Sequence, residues 1–125
     1  MVKLPYKPLS NIELHHYALL LRIPHFRGVY MRDTLPEHAQ ENECCIVNLE
    51  PASRPGSHWV AFNKRGKHAH YFDSYGNLRP PSEVLHHLRA CRTIRYNYER
   101  YQNFDSVICG HLCLQFLLTI NAADA

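Results

Sequence analysis

The chain switches between two hydrophobic periods, and the switches mark out its elements. Ser10-Asn11-Ile12-Glu13 reads as a capping box, with Leu9 and Leu14 placed for a hydrophobic staple, so a helix starts here. It runs to about Leu21 and must end before Pro24. Cys44–Leu49 (CCIVNL) is a short apolar run rich in β-branched residues, suited to a buried strand. His58–Asn63 and His68–Asp73 flank the polar loop Lys64-Arg65-Gly66-Lys67, whose glycine can supply a positive φ, and together they predict a β-hairpin. After a turn at Ser74-Tyr75-Gly76-Asn77, Pro80-Pro81-Ser82-Glu83 opens a short helix through about Ala90. Thr93–Glu99 alternates, with Ile94, Tyr96 and Tyr98 on one face and Arg95, Asn97 and Glu99 on the other, as in a half-exposed strand. Ile108, Leu112, Cys113, Phe116, Leu117 and Ile120 then recur at helical spacing, with Leu114 and Leu118 widening the stripe. An α+β fold follows: a small mixed β-sheet packed on a central, mostly buried helix that carries Cys109 at its N-terminus.

Length and composition narrow the class. The 125 residues make one domain, 1–125, with too few Gly (5) and Pro (8) for a collagenous or disordered chain. No stretch of about 18 apolar residues is present, and the first residues lack the apolar centre of a signal peptide, so neither a membrane span nor secretion is expected. Five cysteines cannot all pair internally, which favours a reducing compartment. Net charge is +3, unevenly spread: residues 33–50 hold five acids and no Lys or Arg, whereas residues 54–100 hold nine Lys/Arg against three acids. A basic half of this kind can attract a polyanion, or be a solvated face.

Candidate chemistry centres on Cys109. A cysteine at the N-terminus of a buried helix has its thiolate stabilised by the helix dipole and unpaired N–H groups. A single buried cysteine is ordinarily a packing residue, so the partners decide its reading. His58 begins one hairpin strand and Asp73 ends the other, which should make them neighbours: a base for the thiol, and a carboxylate to orient it. Gln102 lies seven residues before Cys109, where its amide and the Cys109 N–H would form an oxyanion hole.

The order His58, Asp73, Gln102, Cys109 resembles that of the adenovirus endopeptidase (adenain) family, in the cysteine-peptidase clan that also holds the SUMO and ubiquitin-like deconjugases. Phe26-Arg27-Gly28-Val29-Tyr30 with Leu35-Pro36, Cys44-Cys45-Ile46-Val47-Asn48, Gly56-Ser57-His58-Trp59, Tyr71-Phe72-Asp73-Ser74-Tyr75-Gly76 and Cys109-Gly110-His111-Leu112-Cys113 carry the likeness, over about residues 9–120. The Gln102-to-Cys109 spacing agrees with the adenain family, whereas deconjugases usually place the glutamine one residue closer. Three features depart from the family pattern. Asp73 stands where the family has Glu, as in the deconjugase branch; His111 replaces a bulky apolar residue; and the sequence stops soon after the nucleophile helix.

The resemblance implies a cysteine endopeptidase that cleaves viral, or virus-derived, precursor proteins at Gly-containing sites during virion maturation. It implies Cys109 as nucleophile, His58 as base, Asp73 as its orienting group and Gln102 as oxyanion donor. Trp59 and Gly110 would line the substrate cleft, and the enzyme would work in the virion and the host nucleus or cytoplasm. Cys91 has the spacing of the cysteine that, in this family, forms a disulfide with an activating viral peptide. The basic half fits the family's use of DNA, with Arg89, Arg92 and Arg95 around Cys91 as contacts. No cofactor is obligatory on this reading. Two other readings stand beside it: a ubiquitin-like deconjugase, and a non-catalytic DNA- or capsid-binding domain. The ten histidines do not by themselves predict a metal, since no C-x₂-C or H-x₃-H pair has structural-zinc spacing. His15-His16 and His86-His87 are expected at or near the surface, and Cys45 and Cys113 in the core.

Overall fold

The computed structural model describes residues 3–50, 58–76, 79–97, 99–100 and 108–122. The capping box is complete: the Glu13 N–H donates to Ser10 Oγ at 3.1 Å, and the Ser10 N–H donates to Glu13 Oε1 at 3.0 Å. It opens helix α1 (Asn11–Leu20), and the stapling residues Leu9 and Leu14 are buried in one cluster. The helix is stopped before Pro24 by its own C-terminal motif. The Ile23 N–H reaches the Ala18 carbonyl at 3.2 Å and the Arg22 N–H reaches that of Leu19 at 3.1 Å, with Arg22 at φ +56° where glycine is usual.

Five strands follow in spatial order: β1 (Phe26–Met31), β2 (Asn42–Asn48), β3 (Trp59–Arg65), β4 (His68–Phe72) and β5 (Thr93–Tyr96). The two outer pairs are parallel and the two inner pairs antiparallel, so the sheet is mixed as expected. The β3–β4 hairpin turns through Gly66 and Lys67, with Gly66 at φ +59° supplying the predicted positive φ. Helix α2 (Ser82–His87) packs Val84 and Leu88 on the sheet face of Cys45, Val47, Val60, Phe62, Ala69 and Tyr71. Helices α1 and α3 (Cys109–Asn121) cover the opposite face, against Cys44, Ile46, Trp59, Ala61 and Phe72.

Several boundaries differ from the sequence expectation. Strand β1 was not predicted: Gly28 interrupts its apolar pattern, and the register shifts between Phe26 and Gly28. Strand β5 stops at Tyr96 instead of Glu99, because the Asn97 side chain turns to the backbone of Asp73. Helix α2 ends at His87, three residues short of Ala90. Helix α3 buries one stripe through Cys109, Cys113, Leu114 and Leu117, while Leu118 is exposed and does not widen it. His87, expected near the surface, is buried. Its Nδ1–H donates to the Pro36 carbonyl at 2.7 Å, and its Nε2 meets Glu43 Oε2 at 3.3 Å.

The charge blocks also meet in space. Glu43, counted among the acidic run, is 0% exposed and takes Arg27 at 3.1 Å as well as His87. Lys64, counted in the basic half, is buried with Nζ on the carbonyls of Gln40 (2.7 Å) and Glu41 (3.0 Å). A charge with this many partners is structural.

Candidate active site

Hairpin register places the first pair. Ala61 lies opposite Phe72, so His58 and Asp73 fall just beyond the paired residues at the same end of the hairpin. The His58 Nε2–H donates to Asp73 Oδ1 at 2.8 Å, with both side chains nearly buried. That bond commits Nε2 and leaves Nδ1, buried and without another partner among the described residues, as the nitrogen for the Cys109 thiol.

Helix α3 delivers that thiol in its first residue. Ile108 caps the helix without a side-chain hydrogen bond, and no acid lies in the first turn. Among the described residues, the N-terminal N–H groups therefore meet no side-chain carboxylate of the first turn. The Trp59 N–H donates to Cys109 Sγ at 3.4 Å. Trp59 itself is fixed at its other end, its Nε1–H donating to the Leu9 carbonyl at 3.0 Å. Gly110 lets α3 close on its neighbours: a Cβ there would stand 3.0 Å from Leu14 and 3.5 Å from Trp59. His111, the unexpected residue after the Cys-Gly pair, donates from Nε2 to the Pro5 carbonyl at 2.6 Å and ties the N-terminal segment to α3.

Proton affinities separate Cys109 from the other four cysteines. Burial pushes the thiol of Cys44 up to about 12, those of Cys45 and Cys113 well above the ordinary value, and that of half-buried Cys91 upward. Burial acts on Cys109 in the same direction, but His58 and the N–H groups of Trp59 and Gly110 outweigh it and hold its thiol below the ordinary value. Burial also disfavours the His58 imidazolium, yet Asp73 and Cys109 overcome this and raise it to about 9. A thiolate–imidazolium pair is the state these environments favour.

Two residues of the site were not singled out from the sequence. Asn97 clamps the backbone of Asp73, its Oδ1 accepting the Asp73 N–H at 2.9 Å and its Nδ2 donating to the Asp73 carbonyl at 2.7 Å. The Tyr75 ring stacks on His58 with centroids 4.1 Å apart and planes 5° from parallel, a cation–π seat for the imidazolium. The turn carrying both Asp73 and Tyr75 depends on Gly76: φ is +79°, and a Cβ would stand 2.6 Å from the Glu99 backbone. The signal for Asn97 was latent in the strand pattern, because pairing Tyr96 with Tyr71 sets Asn97 beside Phe72 and Asp73.

Gln102 lies outside the described residues, as do Gly56 and Ser57. Cys91 is half-buried against the α2-side cluster with its thiol free. Arg89 is held by the Glu37 carbonyl (2.9 Å), the His86 carbonyl (2.9 Å) and His38 Nδ1 (2.9 Å). Arg92 is exposed, and Arg95 lies toward α3, where it lines a cavity. Among the described residues no three His, Cys, Asp or Glu side chains form a metal-binding group, and no helix is long and apolar enough to cross a membrane.

No family model and no curated protein matches the chain. Among solved structures, the crystal structure of the ASFV pS273R protease is similar at 26% identity and a TM-score of 0.42. The match covers 62% of this chain and 33% of that one, so the chain spans about a third of the length of that protein.

Proposed function

We propose that the chain is a cysteine endopeptidase of adenain type that cleaves viral, or virus-derived, precursor proteins at Gly-containing sites. The observation that carries the reading is the contrast among the cysteines. Four thiols are pushed up by burial, and the one at the start of α3, beside His58, is held down. Such a thiol carries more thiolate at a given pH than its neighbours in the core and is the better nucleophile.

In the proposed reaction the Cys109 thiolate adds to the scissile carbonyl carbon, and the carbonyl π pair moves to oxygen. The Cys109 N–H and the Gln102 amide would hold that oxyanion. The His58 imidazolium gives its proton to the leaving amine, the C–N bond breaks, and an acyl-thioester remains. Neutral His58 then takes a proton from water, whose hydroxyl displaces the thiolate. Asp73 holds the imidazole by its Nε2–H throughout, so that Nδ1 faces the sulfur. The resemblance brings further members into the proposal: DNA and a peptide linked at Cys91 as activators, and the virion and host nucleus or cytoplasm as the place of action.

Cleavage assays on peptides with glycine on the acyl side of the cut test the reaction. Wild type should cleave; Cys109→Ser should lose activity while keeping its fold; Gln102→Ala should lower kcat by about 10²–10³ with KM little changed. Full activity of Cys109→Ser, free of contaminating peptidase, removes Cys109 from the nucleophile role. A second reading, a ubiquitin-like deconjugase, is favoured by the aspartate at 73. Faster reaction with a ubiquitin- or SUMO-based electrophile than with short peptides would select it.

A further inference from the structure

Between α3 and strands β4 and β5 lies a cavity of about 450 Å³, the size of a small-ligand site. Among the described residues, Cys109, His58 and Asp73 do not line it, and Phe72 and Asn97 are the lining residues next to the proposed catalytic group. Phe72 and Phe116, stacked with centroids 4.9 Å apart, and Leu112 give it an apolar wall. On the β5 side, Arg95 pairs with His70 across the parallel ladder, so both side chains leave the same face of the sheet.

The charges in this cavity are one-sided. Arg95 makes no hydrogen bond or ion pair with any described residue, and no Asp or Glu is among the described residues lining the cavity. Burial first, and then the neighbouring guanidinium, lower the proton affinity of His70, and Arg95 is the one Lys or Arg among the described residues lining the cavity. One planar cation at the rim of an aromatic pocket complements a monoanion with an apolar body, and a guanidinium fits a carboxylate with two parallel hydrogen bonds. A phosphate dianion would bring more charge and less apolar surface than the walls match.

We propose that this cavity binds a small carboxylic acid with an aryl or medium-length acyl body, its carboxylate on Arg95 and its body against Phe72, Leu112 and Phe116. The site is independent of the peptidase reading, since it needs no reaction at Cys109.

The test follows backbone amides of ¹⁵N-labelled protein by NMR during titration with 4-phenylbutyrate, its neutral amide, and a tripeptide ending in free phenylalanine. Saturable shifts at His70, Arg95, Leu112 and Phe116 are expected with phenylbutyrate. Binding should weaken about tenfold in Arg95→Gln and with the neutral amide, because a charge-assisted bond is lost. It should disappear in Thr119→Trp, which fills the cavity from an exposed helix position. Both variants should keep the wild-type spectrum elsewhere. No saturable shift with wild type, or equal binding of acid and amide, overturns the proposal. Tighter binding of the tripeptide than of phenylbutyrate also overturns it, since the cavity would then take a peptide C-terminus.

Discussion

Burial raises the proton affinity of a thiol, and Cys109 departs from this through its neighbours, which hold it below the ordinary value. Removing His58 takes away its attraction for the thiolate and leaves the Trp59 and Gly110 N–H groups to oppose burial. His58→Ala should therefore slow alkylation of Cys109 by iodoacetamide at pH 7 by tenfold or more, with the thiol's titration moved upward. In wild type the alkylation profile should extend below the ordinary thiol range. Peptidase turnover, which also needs the imidazolium proton, should fall again as pH rises through about 9. Equal alkylation rates in the two proteins would mean that His58 does not stabilise the thiolate. Asn97 acts one step further out, as a positioning residue for Asp73. Asn97→Ala should lower kcat about tenfold at constant KM and move the alkaline limb to lower pH, because a misplaced carboxylate supports the imidazolium less well. Loss of stability with an unmoved pH profile would make it a purely structural residue.

At the scale of elements, what was legible followed local rules. The capping box, the hairpin with its glycine turn and the amphipathic stripe of α3 each depend on residues a few positions apart. The box forms as read, the hairpin forms with β3 running on to Arg65 and a turn shorter than Lys64–Lys67, and the α3 stripe forms without Leu118. Strand β1 did not show, because its pattern is broken by Gly28 and it is held by a partner 16 residues away, Arg27 on Glu43. The Glu43 network was hidden for the same reason. One buried carboxylate joins β1, β2, α2 and the loop at Gln40 through Arg27, Cys45, His87 and the Gln40 N–H, none of which announces the others in sequence. Burial alone would raise its pKa, but the bonds from His87, Gln40 and Cys45 outweigh burial, and the carboxyl is held below the usual 4.5. A depressed folded-state pKa contributes stability that is present above the unfolded value and is lost as pH falls through the folded one. Wild type should thus lose stability as pH drops below about 4.5. Glu43→Gln should be less stable at pH 7 by about 3 kcal/mol and should lose less of its remaining stability on acidification. Parallel denaturation curves for the two proteins at pH 7 and pH 4 check this, and an unchanged pH 7 midpoint would contradict it.

At the scale of the molecule, the two charge blocks of the sequence are partly neutralised by folding, as Lys64, Glu43 and Arg89 take internal partners. Net charge along a chain is a poor guide to surface charge when oppositely charged strands pair. The candidate site was easier to read: hairpin geometry forecast the His58–Asp73 contact, and helix placement forecast the setting of Cys109. Its supporting residues, Tyr75 and Asn97, depend on the register between β4 and β5 and on a turn around Gly76, which only the folded chain reveals. In the proposed function this assembly makes Cys109 a peptidase nucleophile. The most direct measurement is mass spectrometry of the protein after exposure, at neutral pH, to a short peptide electrophile with glycine next to its reactive carbon. One adduct is expected, on Cys109, that forms far more slowly in His58→Ala and leaves Cys44, Cys45, Cys91 and Cys113 unmodified. Labelling that spares Cys109, or that proceeds equally without His58, would contradict it.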